Sequence, residues 1–211
     1  MGAQFFFILA TRLTTAANAI FLQYTAPIYV LILGVWVLRE RPQRIDWITM
    51  VVILVGLLLC FGQELTGEGL YGNLAAVSSG VALAVMIVSS RAQKESHPAQ
   101  IFLIGSLIGA VMGLPAVFQE SWSAADLAIL AYLGVIQTAL AAALYSIAIR
   151  QVPALTSTLI LMLEPVLNPL WVFLVIGETP APLALAGGAV VLGAIGVRAV
   201  AGDRNRSPTP R

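Results

Sequence analysis

Seven unbroken apolar stretches, each about as long as a bilayer crossing, constrain this chain more than any other feature. They run over residues 16–38, 45–62, 72–90, 101–118, 127–149, 154–176 and 183–200. A helix needs ~20 residues to cross ~30 Å of hydrocarbon. A shorter apolar piece, Gln4 to Ala10, precedes the first block. The charged residues collect in the spacers: RERPQR at 39–44, QELTGEG at 63–69, RAQKESHP at 91–98, QESWSAAD at 119–126, RQVP at 150–153 and GETPAP at 177–182. A membrane β-barrel would need alternation at every second residue. Blocks such as LAILAYLGVIQTALAAALYSIAI are apolar all round, so each reads as a helix that bonds its own backbone. The fold class expected is all-α, a polytopic transmembrane helix bundle.

Composition excludes the soluble classes. Hydrophobic residues make up 59% of the chain and charged residues 10%, whereas soluble domains run near ~45–50% and ~25%. The net charge is +1, and no basic cluster suits a phosphate backbone, so no nucleic acid is expected as a partner. The single cysteine (Cys60) and single histidine (His97) leave no metal site, disulfide framework or His-based triad. No GxSxG or HExxH motif occurs, so catalytic residues and cofactors are expected to be absent. The expected partners are the lipid bilayer and a small-molecule substrate.

Alternating the spans places 39–44, 91–98, 150–153 and the C-terminus on one side. Ten of the eleven Lys and Arg residues then share that side, with Arg12 alone opposite. The excess of cations marks the cytoplasm. The expectation is a multi-pass protein of the cell (inner) membrane with a cytoplasmic C-terminus. The first ten residues lack a basic n-region and do not read as a signal peptide. The tail GDRNRSPTPR at 202–211 reads as disordered.

A weak self-match at an offset of 138 organises the chain further. ATRLTTA at 10–16 lies over AIRQVPA at 148–154, Pro27 over Pro165, and Glu40-Arg-Pro42 over Glu178-Thr-Pro180. Each unit would hold five helices, and an odd number of crossings inverts the second unit against the first, as in many secondary transporters. The expected units are residues 1–62, a remnant of the first; 63–71, an extracytoplasmic linker; and 72–201, a complete second. Seven full helices and one partial N-terminal helix are thus expected. The repeat places the start of the first unit about 65 residues before Met1, so missing N-terminal helices are expected.

Three stretches carry a family likeness: TTAANAIFLQYTAPIYVLILGVWVLRERP, its counterpart PALTSTLILMLEPVLNPLWVFLVIGETP, and the short gap to a final Gly-rich helix. The chain resembles the EamA-type branch of the drug/metabolite transporter superfamily. The resemblance implies ten helices in two inverted five-helix units, both termini cytoplasmic, and movement of a small metabolite by alternating access. It implies no catalytic residues.

Glu164 is the sharpest candidate for the site, lying fourteen residues from both Arg150 and Glu178. An intramembrane carboxylate costs roughly 2.5–3.5 kcal/mol even on the lenient insertion scale, and such groups face a cavity or a partner. It reads either as a proton-coupling or amine-binding carboxylate, or as a protonated side chain bonded to a neighbouring helix. Its counterpart in the first unit is Ala26. Pro27, Pro165 and Pro169 are expected helix breaks, because each removes the N–H that the carbonyl four residues earlier would take. Matched breaks in two repeats point to a midplane site; simple packing kinks are the alternative. Asn168, Gln23, Tyr24, Gln137 and Tyr145 are the polar side chains at membrane depth, each a candidate for cargo or for helix-to-helix bonding. Gly105, Gly109 and Gly113 read as a close-packing stripe, and Glu40 and Glu178 as helix-end caps or gates.

Three rival functions remain beside a carrier for an amino acid, amine or related metabolite. One is a non-transporting relic or assembly subunit, with a dimer or separately supplied helices. Another is a nucleotide-sugar carrier, whose phosphates would call for Arg or Lys within the spans. An enzyme is the third.

Overall fold

The computed structural model describes residues 2–40, 42–93, 99–118, 122–177 and 181–204, and every element among them is helical. In order these are α1 (Gly2–Leu13), α2 (Ala16–Gln23), α3 (Ala26–Leu33, extended by a π-helical stretch, Gly34–Leu38), α4 (Arg44–Phe61), α5 (Leu70–Ala92) and α6 (Ala99–Val117). There follow α7 (Ala124–Tyr132), which passes through a π-helical stretch, Leu133–Leu140, into α8 (Ala141–Ala148), then α9 (Ala154–Leu161), α10 (Leu163–Ile176) and α11 (Pro182–Arg204). Among the described residues, six helices are long and apolar enough to cross a bilayer. The one other expected span, 101–118, is a helix whose apolar stretch, Ala99–Pro115, is shorter. The last helix runs to Arg204, into the segment from 202 expected to be disordered.

The polar residues at span ends start the helices. Asp46 Oδ2 accepts the Gln43 N–H at 2.7 Å, and Ser123 and Asp126 form a reciprocal box at the start of α7. Thr15 caps α2 by accepting the Asn18 N–H at 3.2 Å.

The offset of 138 reappears in the helix bounds. Adding it to Ala16 and Gln23, the ends of α2, gives Ala154 and Leu161, the ends of α9; Leu38 maps to Ile176 and Arg44 to Pro182. The two copies run in opposite directions. Glu40, just past the end of the 16–38 span, bonds Ala154, the first residue of the 154–176 span, at 3.2 Å. The fold is therefore an inverted repeat.

The copies meet where α4 crosses α11. A Cβ on Gly56 would lie 2.7 Å from Val191 Cγ2, and one on Gly187 would strike the Gly56 carbonyl and lie 2.6 Å from Cys60 Sγ. Glycine at both crossing points lets the backbones touch. Ile53 and Val191, related by the same offset, are both fully buried beside the crossing. Asp46 pairs with Arg198 across it, and at the equivalent position Cys60 Sγ lies 3.5 Å from the Ala184 carbonyl. A second tight contact seats α1 and α2 on α5, where Ala10, Ala19, Ala75 and Ala76 form a core of small residues.

α6 and α7 stand outside this core. No residue of α7 is buried, and a Cβ on Gly113 would meet nothing within 4 Å. The expected packing stripe is thus not in contact at Gly113, because α6 has no close neighbour on that side.

Candidate functional site

Both long spans of the matched pair are interrupted, each on the ninth residue. The first breaks at Tyr24 (φ −74°, ψ 5°) and the second at Met162 (φ −67°, ψ −8°). Tyr24 and Met162 are themselves related by 138. The cause is the following proline: Pro27 offers no N–H to the Gln23 carbonyl, nor Pro165 to that of Leu161. Pro27 sits in the first turn of α3, where a missing donor costs nothing. The Met162 N–H is shared between the Thr158 and Leu159 carbonyls, at 3.3 and 3.2 Å. Pro169 behaves differently. It lies inside a continuous α10, so the expected break there does not occur; the bonds on either side carry the helix past one absent donor.

The freed Gln23 carbonyl lies 3.0 Å from the site of a Cβ on Gly80. Glycine at position 80 lets α5 come close to the break.

The two breaks share one apolar cluster, in which Tyr24 and Met162 join Ile53, Leu57, Leu159 and Val191. Out of this cluster the Tyr24 hydroxyl donates to Glu164 Oε2 at 3.1 Å. Tyr24 is 9% exposed, whereas Glu164 is exposed in the first turn of α10. There the positive end of a half-helix faces the acidic side chain. A side-chain hydrogen bond of this kind is worth roughly 0.5–1.5 kcal/mol, and more where one partner is charged.

The remaining candidates fall elsewhere. Asn168 lies one turn after Glu164 and is exposed. Gln23 turns away from the site, donating to Ser79 Oγ of α5 at 2.7 Å; Ser79 in turn donates to the Ala3 carbonyl at 2.7 Å. Gln23 thus ties three helices together. Gln137 is exposed on the π-helical stretch. Tyr145 packs edge-on against Phe102 at 5.5 Å, and its buried hydroxyl has no partner among the described residues. Glu178 lies outside the described residues.

Polar clusters close both ends of the bundle. At one, Glu40 takes Arg91 Nε at 3.2 Å as well as the Ala154 N–H, and Arg91 Nη1 donates to the Ile149 and Arg150 carbonyls at 3.0 and 2.8 Å. At the other, buried Asn18 donates to the Thr66 carbonyl at 2.8 Å and to Thr14 and Asn73, and accepts the Thr66 N–H at 3.0 Å. Asn18 and the Asp46–Arg198 pair escaped the sequence reading. The only signal for them was a polar residue within a few residues of each apolar block's end.

The architecture now has known counterparts. The sequence profile of the EamA-like transporter family matches residues 1–62 and 70–199. The chain belongs to this family. Its EamA-like relatives include the threonine/homoserine exporter RhtA of Escherichia coli (strain K12), 27% identical over 202 residues, 92% of this chain and 66% of the exporter. The chain thus spans just under two thirds of that relative's length. An uncharacterized transporter of Archaeoglobus fulgidus is 29% identical over 196 residues, 90% of this chain and 69% of that protein. One solved crystal structure shares the fold with a TM-score of 0.81 at 20% identity, over 98% of this chain and 75% of that one. Family and helices together make this EamA-like chain a multi-pass membrane protein.

Proposed function

We propose that this protein is a carrier that exports a small amino acid or related amine by alternating access, with Glu164 as the group that meets the cargo or a coupling proton. The carrying observation is the Tyr24–Glu164 hydrogen bond, which joins the two inverted units at the breaks of two bilayer-length spans. Broken helices at equivalent places are where secondary transporters bind cargo. The name of the threonine/homoserine exporter supports an amino acid as cargo. No Lys or Arg accompanies Glu164 among its described contacts, which disfavours a phosphate-bearing cargo such as a nucleotide sugar. The non-catalytic reading rests on the same likeness.

The orientation follows from charge. Arg44, Arg91, Arg150 and Arg198 gather at the end that holds Glu40 and Asp46, with Arg12 at the far end of α5. We place the arginine-rich end, and the C-terminus with it, in the cytoplasm of the inner membrane.

The test is efflux of L-threonine from cells expressing the full chain, set against Glu164→Gln. Loss of efflux at equal membrane abundance is expected. Unchanged efflux would make the carboxylate structural. An assembly subunit is the second reading, favoured by an α7 with no buried residue; efflux by the chain purified alone into liposomes would eliminate it.

A further inference from the structure

Glu164 does not stand alone, and its partner comes from the other unit. The inverted repeat sets Tyr24 opposite Met162, and Ala26 opposite Glu164. The bond from Tyr24 to Glu164 therefore has a symmetry mate, Met162 to Ala26, that contains no polar group. Of two equivalent positions beside the pseudo-twofold axis, only one is chemically equipped. Among the described residues Glu164 takes a single hydrogen bond, through Oε2, and its Oε1 has no partner. Tyr24 is fixed twice over. Its backbone is set by the break, and its ring is packed among Ile53, Leu57, Met162 and Val191. A donor so held dictates the rotation of the carboxylate it bonds.

We propose that Tyr24 is the positioning residue of a single ammonium site: it holds Oε2 and so turns Oε1 toward the amino group of the cargo. This rests on the reading of Glu164 as the cargo-binding group. It goes further in naming the end of an amino acid that Glu164 reads, the residue that aims it, and a stoichiometry of one cargo per chain. A carboxylate with one oxygen committed presents one acceptor edge, which suits a compact, three-donor ammonium.

The experiment measures uptake of labelled L-threonine into inside-out membrane vesicles carrying the full chain. Two unlabelled competitors are compared: L-threonine methyl ester, which keeps the ammonium, and N-acetyl-L-threonine, which lacks it. In Tyr24→Phe the inhibition constant for the methyl ester should rise about fivefold to tenfold, the worth of one hydrogen bond. That for N-acetyl-L-threonine should stay within about twofold, a difference smaller than the uncertainty in such energies. A merely structural tyrosine would weaken both alike, and that result, or no shift in either, would overturn the proposal. Tyr24→Met, which copies the residue buried at the matching break, gives a second variant if Tyr24→Phe fails to insert, with the same outcomes expected. Glu164→Gln separates the two claims. If it transports with unchanged KM, the reading of Glu164 fails; if it is inactive while Tyr24→Phe matches the unmodified chain, only the positioning role fails.

Discussion

The Glu40 carboxylate accepts the backbone N–H of Ala154, 114 residues further along the chain, so that one unit caps the first half-helix of the other. Pro153, the residue before α9, makes no side-chain cap of its own. A helix cap is worth roughly 0.5–2 kcal/mol, and Arg91 adds an ion pair at 3.2 Å. Glu40→Ala should lower stability by about 1–2 kcal/mol in detergent thermal unfolding. Glu40→Gln should recover part of the loss, because its amide oxygen still accepts from Ala154. An alanine variant as stable as the unmodified chain would show that the cap contributes nothing.

Arg198→Ala should cost more. It would leave Asp46, 4% exposed, without its cation, and removing one partner of a buried pair costs roughly 3–5 kcal/mol. The Gln43 N–H still reaches Asp46, so the lower end of that range is expected. Removing both charges, as Asp46→Asn with Arg198→Leu, should cost less than Arg198→Ala alone. Chemical unfolding of both variants reads this directly, and a double variant no more stable than Arg198→Ala would contradict it.

Gly187→Ala tests the crossing of α4 and α11. The new methyl would press on the Gly56 carbonyl and on Cys60 Sγ, and overpacking of this kind costs roughly 1–3 kcal/mol. Gly196→Ala, on the same helix but with nothing within 4 Å, is the control and should be neutral or slightly stabilising. Equal melting temperatures for the two variants would argue against a tight crossing.

Asn18→Ala should loosen the segment between α4 and α5. Asn18 is 3% exposed and holds Thr66 by both its N–H and its carbonyl. Without it two backbone groups must find other partners. A Glu-specific protease added on that side should cut at Glu64 and Glu68 several times faster than in the unmodified chain. Unchanged cleavage would place the anchor elsewhere.

The helices were legible because hydrophobic length is a coarse signal that survives substitution. The breaks were legible because proline leaves its mark in one letter. Their positions were not: each falls a few residues before its proline, at Tyr24 and Met162, where the lost donor is felt. Pro169 looks the same in sequence as Pro165, yet its helix continues. Whether neighbouring bonds carry a helix past a missing donor depends on packing that no single residue announces. Gln23 and Tyr24 show the same limit at the site. Both are polar, adjacent and at equal depth, but at the break one side chain goes to Ser79 and the other to Glu164. A change of one residue along the chain is a turn of about 100° around a helix, and that decides which becomes a brace and which enters the site.

The matched helix bounds also set how the gene can vary in length. Leu38 to Arg44 and Ile176 to Pro182 are connectors of equal size. A codon deleted inside α4, between Asp46 and Gly56, would turn one against the other by about 100°. Asp46 could then not reach Arg198 while Gly56 still met Gly187. The letters of the two halves have drifted far apart, but their spacing is held as an engineer holds a tolerance.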